Sequence, residues 1–116
     1  MPKSNDEEKQ QRRDAIRSAT LHAAEVPYET AKLAFELLEV LPELAKKGNG
    51  NAVSDVGVAS LLASAAVKGA LFNVDINLGS LPEDMVGELS ENSKQLLEKS
   101  RLLSKESIQI VRERLV

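Results

Sequence analysis

Apolar residues recur along most of this sequence at the three-and-four spacing of an α-helix, and no stretch alternates with the period of two that marks a half-buried strand. Residues 6–14 have no apolar face, but Ala15, Ile16, Ala19, Ala23 and Val26 then share one. The first predicted helix therefore either starts in solvent and ends against a core, or has its start covered by a missing partner. Ser4 and Glu7 have the spacing of a capping box. The residue before Pro27 is pushed out of the helical region, so this helix is predicted over residues 4–26.

Pro27 suits the first turn of a second helix. There Glu29, Lys32, Glu36, Glu39, Glu43 and Lys46 form one narrow polar stripe, and nearly everything else over residues 31–45 is apolar. The pattern predicts a helix covered on most of its circumference, with the glutamates on a solvated face. Pro42 should kink it or convert its end to a new turn. Lys47-Gly48-Asn49-Gly50-Asn51 reads as a loop, with Gly48 in the left-handed conformation that stops a helix. Asn51 or Ser54 caps the next helix, and Asp55 falls in its first turn. That helix runs to about Asn77 and Gly79 closes it. Gly57, Ala59, Ala63, Ala65, Ala66, Gly69 and Ala70 make it smooth, so it is predicted to be the central helix, with residues 56–72 the most buried segment. Ser80-Leu81-Pro82-Glu83 opens the last helix. In it Leu89, Leu96, Leu103 and Ile110 repeat by seven, with Ser93, Ser100 and Ser107 between them. This seam packs either within the chain or against a second copy. The fold class is an all-α bundle of four principal helices, one domain over residues 1–116.

Composition removes several kinds of chemistry. The chain has 116 residues, enough for one small domain. With no Cys there is no disulfide framework, thiolate zinc site or thiol nucleophile, and a single His, His22, excludes a multi-His metal centre. Aromatic residues make up 3% and net charge is −3, which together argue against a nucleic-acid partner. The polar N-terminus lacks the apolar core of a secretory signal, so a cytoplasmic protein is expected. The apolar run over residues 56–72 is shorter than a membrane span and carries Lys68, so no membrane partner is expected.

Three stretches go further: Ala23-Ala24-Glu25-Val26-Pro27-Tyr28-Glu29-Thr30, then residues 47–59 with Ser54-Asp55-Val56-Gly57-Val58, then residues 70–78 with Phe72-Asn73-Val74-Asp75-Ile76-Asn77. In order and spacing they resemble the cyclodeaminase/cyclohydrolase family of folate enzymes, weakening in the last helix. That family's domain is longer and opens with a glycine-rich segment not found here. The sequence therefore resembles the C-terminal part of a larger helical domain, and weak folate binding with little turnover is expected of it.

The resemblance implies one-carbon tetrahydrofolate chemistry. Either water opens a cationic methenyl bridge to the formyl compound, as in methenyltetrahydrofolate cyclohydrolase, or a formimino group closes to that bridge and releases ammonia, as in formiminotetrahydrofolate cyclodeaminase. Neither needs a metal, or a cofactor beyond the folate substrate. Both need proton transfer near nitrogen and a group that stabilises positive charge.

Asp55 is the candidate catalytic residue; by its position alone it reads first as a helix-dipole partner. Asn51 and Ser54 are candidate substrate-binding residues or plain caps. Asn73 and Asn77 share a face and either bind the pterin edge or cap the helix end. Lys68 either reaches solvent or meets a carboxylate. His22 is the one imidazole available for acid/base work but lies outside the matching stretches, so it reads as a surface or core-edge residue. The resemblance also implies a homodimer or larger oligomer. The competing reading is a non-catalytic helical interaction module, which the small-residue faces alone would suit.

Overall fold

The computed structural model describes residues 2–115, with side chains from residue 5 onward. The proposed Ser4 cap lies outside the described side chains. Among the described residues there is no strand. Three long helices, α1 (Pro2–Lys47), α2 (Val53–Leu78) and α3 (Glu83–Leu115), form an antiparallel bundle, with a single 3₁₀ turn at Gly50–Ala52 leading into α2.

The fold class stands as all-α, but the four expected helices are three. The predicted first and second helices are one, running through both Pro27 and Pro42. A proline inside a helix removes one N–H and leaves the carbonyl four residues back without its donor. For Pro27 that carbonyl is Ala23, and a side chain from α2 supplies the missing donor: Asn77 Nδ2 donates to Ala23 O at 3.4 Å. Its neighbour in the bundle thus helps α1 tolerate a residue that sequence rules treat as a boundary.

The loop between α1 and α2 also differs from expectation. No described glycine has positive φ, so Gly48 is not left-handed. Its N–H donates to Leu44 O at 2.7 Å, and a Cβ added there would lie 2.6 Å from the same oxygen. Close backbone approach, not handedness, asks for glycine. Neither Asn51 nor Ser54 caps α2: its N-cap is Ala52, with no side-chain cap bond. Asn49 does the local capping instead, its Oδ1 accepting from Asn51 N–H at 2.9 Å. At the far end the Gly79 N–H donates to Asp75 O at 3.0 Å, closing α2 as expected. Ser80 does not open α3. Its hydroxyl donates back to Asn77 O, and α3 begins at Glu83.

α2 lies against both other helices, but only one arc of it is covered. Within residues 56–72, Val56, Gly57, Ser60, Ala63, Val67 and Leu71 are buried, whereas Val58, Leu61, Leu62 and Phe72 are exposed. This helix still supplies more buried residues than α3. By length and apolar composition alone α2 could cross a membrane; here it carries the middle of a bundle. α1 is likewise covered on one side only. Ala24, Ala31, Leu38, Leu41 and Ala45 face the core, while Leu33, Leu37, Val40 and Leu44 are exposed, contrary to the expected cover on most of its circumference. The heptad seam of α3 packs within the chain: Ser93, Leu96, Ser100 and Ser107 are buried, and Ser60 and Ser104 hydrogen-bond across it at 3.2 Å. Gly57 brings α2 close to α3, since a Cβ there would meet Val111 Cγ1 at 3.2 Å.

Candidate functional site

The site candidates fall at two places along the same side of α2, where it meets α1. Asp55 sits in the first turn of α2, near the positive end of the helix dipole. It rims a cleft of about 260 Å³ whose walls are Leu41, Leu44, Val53, Val56 and Ala59, with Gly48 and Asn49 at its mouth. The walls are aliphatic because α1 turns its Leu41–Leu44 edge toward the start of α2. Asp55 is exposed and carries no hydrogen bond or ion pair among the described residues. An unpaired carboxylate over an apolar wall can stabilise a delocalised cation that has left bulk water, because the wall excludes solvent from one side.

Two contacts hold the loop beside Asp55. Asn49 ties the 3₁₀ turn, as above. Arg114, from the end of α3, donates through Nη1 to Ala45 O and Gly48 O, both at 2.8 Å. A cation here meets the last carbonyls of α1, where its dipole is negative. Arg114 was not singled out from sequence. A basic residue near a chain end carries no periodic signal, and its partners are main-chain atoms more than sixty positions away.

Asn73 and Asn77 lie at the opposite end of the α1–α2 groove, in a shallower depression of about 520 Å³ with Val26, Pro27, Thr30 and Ala70. Eighteen residues separate Asp55 from Asn73 on one helix, about 27 Å at the usual rise. The structure therefore brings Asn73 and Asn77 together, and sets Asn51, Ser54 and Asp55 together, but does not unite the two groups within one chain. Asn77 is already engaged, donating to Asn73 O at 2.9 Å as well as to Ala23. Asn51 and Ser54 are exposed beside Asp55.

His22 is on the surface, 3.8 Å from Glu25. The glutamate stripe of α1 is solvated, and its pairs with Lys32, Lys46 and Lys47 are all exposed, the kind that contributes little stability. Glu43 has its carboxyl held below the ordinary range, first by the Lys47 hydrogen bond and charge and then by Lys46. Among the described residues no three acidic or imidazole side chains gather as metal ligands would.

Comparison with known proteins gives these positions a context. A model of the formiminotransferase-cyclodeaminase family matches residues 1–95. The methenyltetrahydrofolate cyclohydrolase of Methylorubrum extorquens is 36% identical over 96 residues, covering 83% of this chain and 45% of that enzyme. Rat formimidoyltransferase-cyclodeaminase is 36% identical over 88 residues, 76% of this chain and 16% of that protein. The chicken protein is 37% identical over 103 residues, 82% of this chain and 19% of its own length. The chain thus spans less than half the length of these relatives.

Proposed function

Because the chain belongs to the formiminotransferase-cyclodeaminase family, we propose that it binds a reduced folate and serves its one-carbon chemistry, with Asp55 as the group that faces the cationic bridge. The carrying observation is the unpaired Asp55 carboxylate on the rim of the aliphatic cleft between α1 and α2. In the cyclohydrolase direction water adds to the methenyl carbon, one carbon–nitrogen bond breaks and a proton leaves to solvent, giving the formyl compound. In the cyclodeaminase direction the secondary amine nitrogen outside the pterin ring attacks the formimino carbon, its proton and one from solvent pass to the departing nitrogen, and the bond to that nitrogen breaks to release ammonia and leave the cationic bridge. Positive charge at the bridge is common to both, and a nearby carboxylate lowers its cost. The aliphatic wall suits the flat face of the pterin. Asn51 and Ser54, exposed beside Asp55 but outside the cleft lining, would meet its polar edge in this reading. No metal or further cofactor is called on.

Asn73 and Asn77, at the far end of the groove, belong to this reading only as a second contact region. The exposed apolar residues of α1 and α2 support a homodimer or larger oligomer.

Calorimetric titration with 5-formyltetrahydrofolate tests the assignment. The folded chain should bind it, and Asp55→Ala should weaken binding by about tenfold or more, as expected for loss of a charge-assisted contact. Asp55→Asn should recover little. Undiminished binding by a folded Asp55→Ala chain rejects this site. No binding by either chain favours the interaction-module reading.

A further inference from the structure

The groove between α2 and α3 lies on the other flank of α2 and plays no part in the folate reading. Its register can be read from pairs that meet across the bundle. Ser60 bonds Ser104, and Gly57 touches Val111, so residue numbers on the two antiparallel helices sum to about 164 to 168. That register sets Lys68 across from Arg101 at one end, Ser64 across from Ser104 and Lys105 in the middle, and Leu61 across from Ile108 at the other. All of these line one groove of about 460 Å³. The span from Leu61 to Lys68 is seven residues, about 10 Å along the helix.

The groove is therefore graded: the end at Lys68 and Arg101 carries two cations beside Leu102, hydroxyls and Lys105 follow along the middle, and the end at Leu61 and Ile108 is aliphatic alone. No carboxylate lines it. Lys68 and Lys105 are in no ion pair among the described residues, and Arg101 meets only Glu98 of its own helix, at 3.3 Å with both side chains more than half exposed. Three like charges in one groove of a chain whose net charge is −3 repel one another and focus a positive field there. An anion relieves that repulsion. A guanidinium beside an ammonium matches two oxygens of one phosphate or carboxylate, and the Ser64 and Ser104 hydroxyls offer further donors. Leu61 and Ile108 then receive whatever apolar arm the anion carries.

We propose that the α2–α3 groove binds an amphipathic oxyanion, a phosphate or carboxylate on an apolar arm. The head sits between Lys68 and Arg101, and the arm lies toward Leu61 and Ile108. The proposal is independent of the Asp55 site.

Titration of the whole chain with octyl phosphate, octanoate and inorganic phosphate tests it, all below micelle formation. Octyl phosphate or octanoate should bind, inorganic phosphate more weakly by about tenfold, and binding should fall as salt is raised. The relative affinity of the two amphiphiles identifies the preferred head. Lys68→Ala with Arg101→Ala should abolish measurable binding, and Leu61→Ser should weaken the amphiphile while leaving inorganic phosphate unchanged. These side chains are all exposed, so helicity by circular dichroism should match the parent in every variant. No binding of either amphiphile, equal binding of inorganic phosphate, or binding indifferent to the Lys68–Arg101 double variant overturns the proposal.

Discussion

The Arg114 guanidinium reaches from the end of α3 to two carbonyls at the end of α1, and through them to the loop that carries Asn49 toward Asp55. A helix end leaves its last carbonyls without intrahelical donors, so a forked cation there both satisfies acceptors and meets the dipole. The site is partly open to solvent, which discounts the charge. Arg114→Ala is expected to cost about 1 to 2 kcal/mol in urea unfolding, below the middle of the range for a hydrogen bond to a charged group because of that exposure. Arg114→Lys keeps the charge without the fork and should recover only part of that. An Arg114→Ala chain as stable as the parent would mean that water replaces the guanidinium at no cost.

At the scale of elements, α1 shows how a neighbour cancels a local rule. Pro27 removes the donor for Ala23 O, and Asn77 of α2 helps replace it. The two residues should then be coupled. Asn77→Ala is expected to destabilise the chain by about 1 kcal/mol. The same change in a Pro27→Ala background should cost less, because an alanine in place of the proline would offer its own N–H to the Ala23 carbonyl. A double-mutant cycle on unfolding free energies reads that difference directly; strict additivity would show that the 3.4 Å contact does not compensate for the proline. The small residues of α2 act at the same scale. Gly57 and the buried serines of α3 let the two helices approach closely, whereas Gly69 has nothing within 4 Å of an added Cβ and faces outward.

The whole molecule is a rod of 76 × 19 × 15 Å with a radius of gyration of 20.0 Å. A compact domain of this length would have a radius of about 13 Å. Three helices in such a shape have too little mutual surface to cover their apolar residues, which is why Val26, Leu33, Leu37, Val40 and Leu44 on α1 and Val58, Leu62, Phe72 and Ile76 on α2 remain exposed. Patches of that kind usually meet another surface. Light scattering at micromolar concentration should therefore report more than one chain, and Leu37→Glu with Leu62→Glu should return it to a monomer. A parent chain that is monomeric throughout would remove the proposed assembly.

The sequence by itself determined that the chain is helical, that it has a loop near residues 47–51 and a helix end at Gly79, and that the last helix carries a seam of large and small residues. These are properties of local spacing, and local spacing is what a helix obeys. The motif around Asp55 was legible too, together with the family it points to. Three things were decided only in the folded chain. The break expected at Pro27 did not form, since the donor that offsets the proline sits on α2. The caps expected of Asn51 and Ser54 passed to Asn49 and Ala52, because a 3₁₀ turn shifted the helix start. The sides of α1 and α2 that face the core were set by how many neighbours each helix has. An apolar residue such as Leu33 reads the same whether or not another helix lies over it; burial is a relation between surfaces, and only the tertiary structure contains both of them.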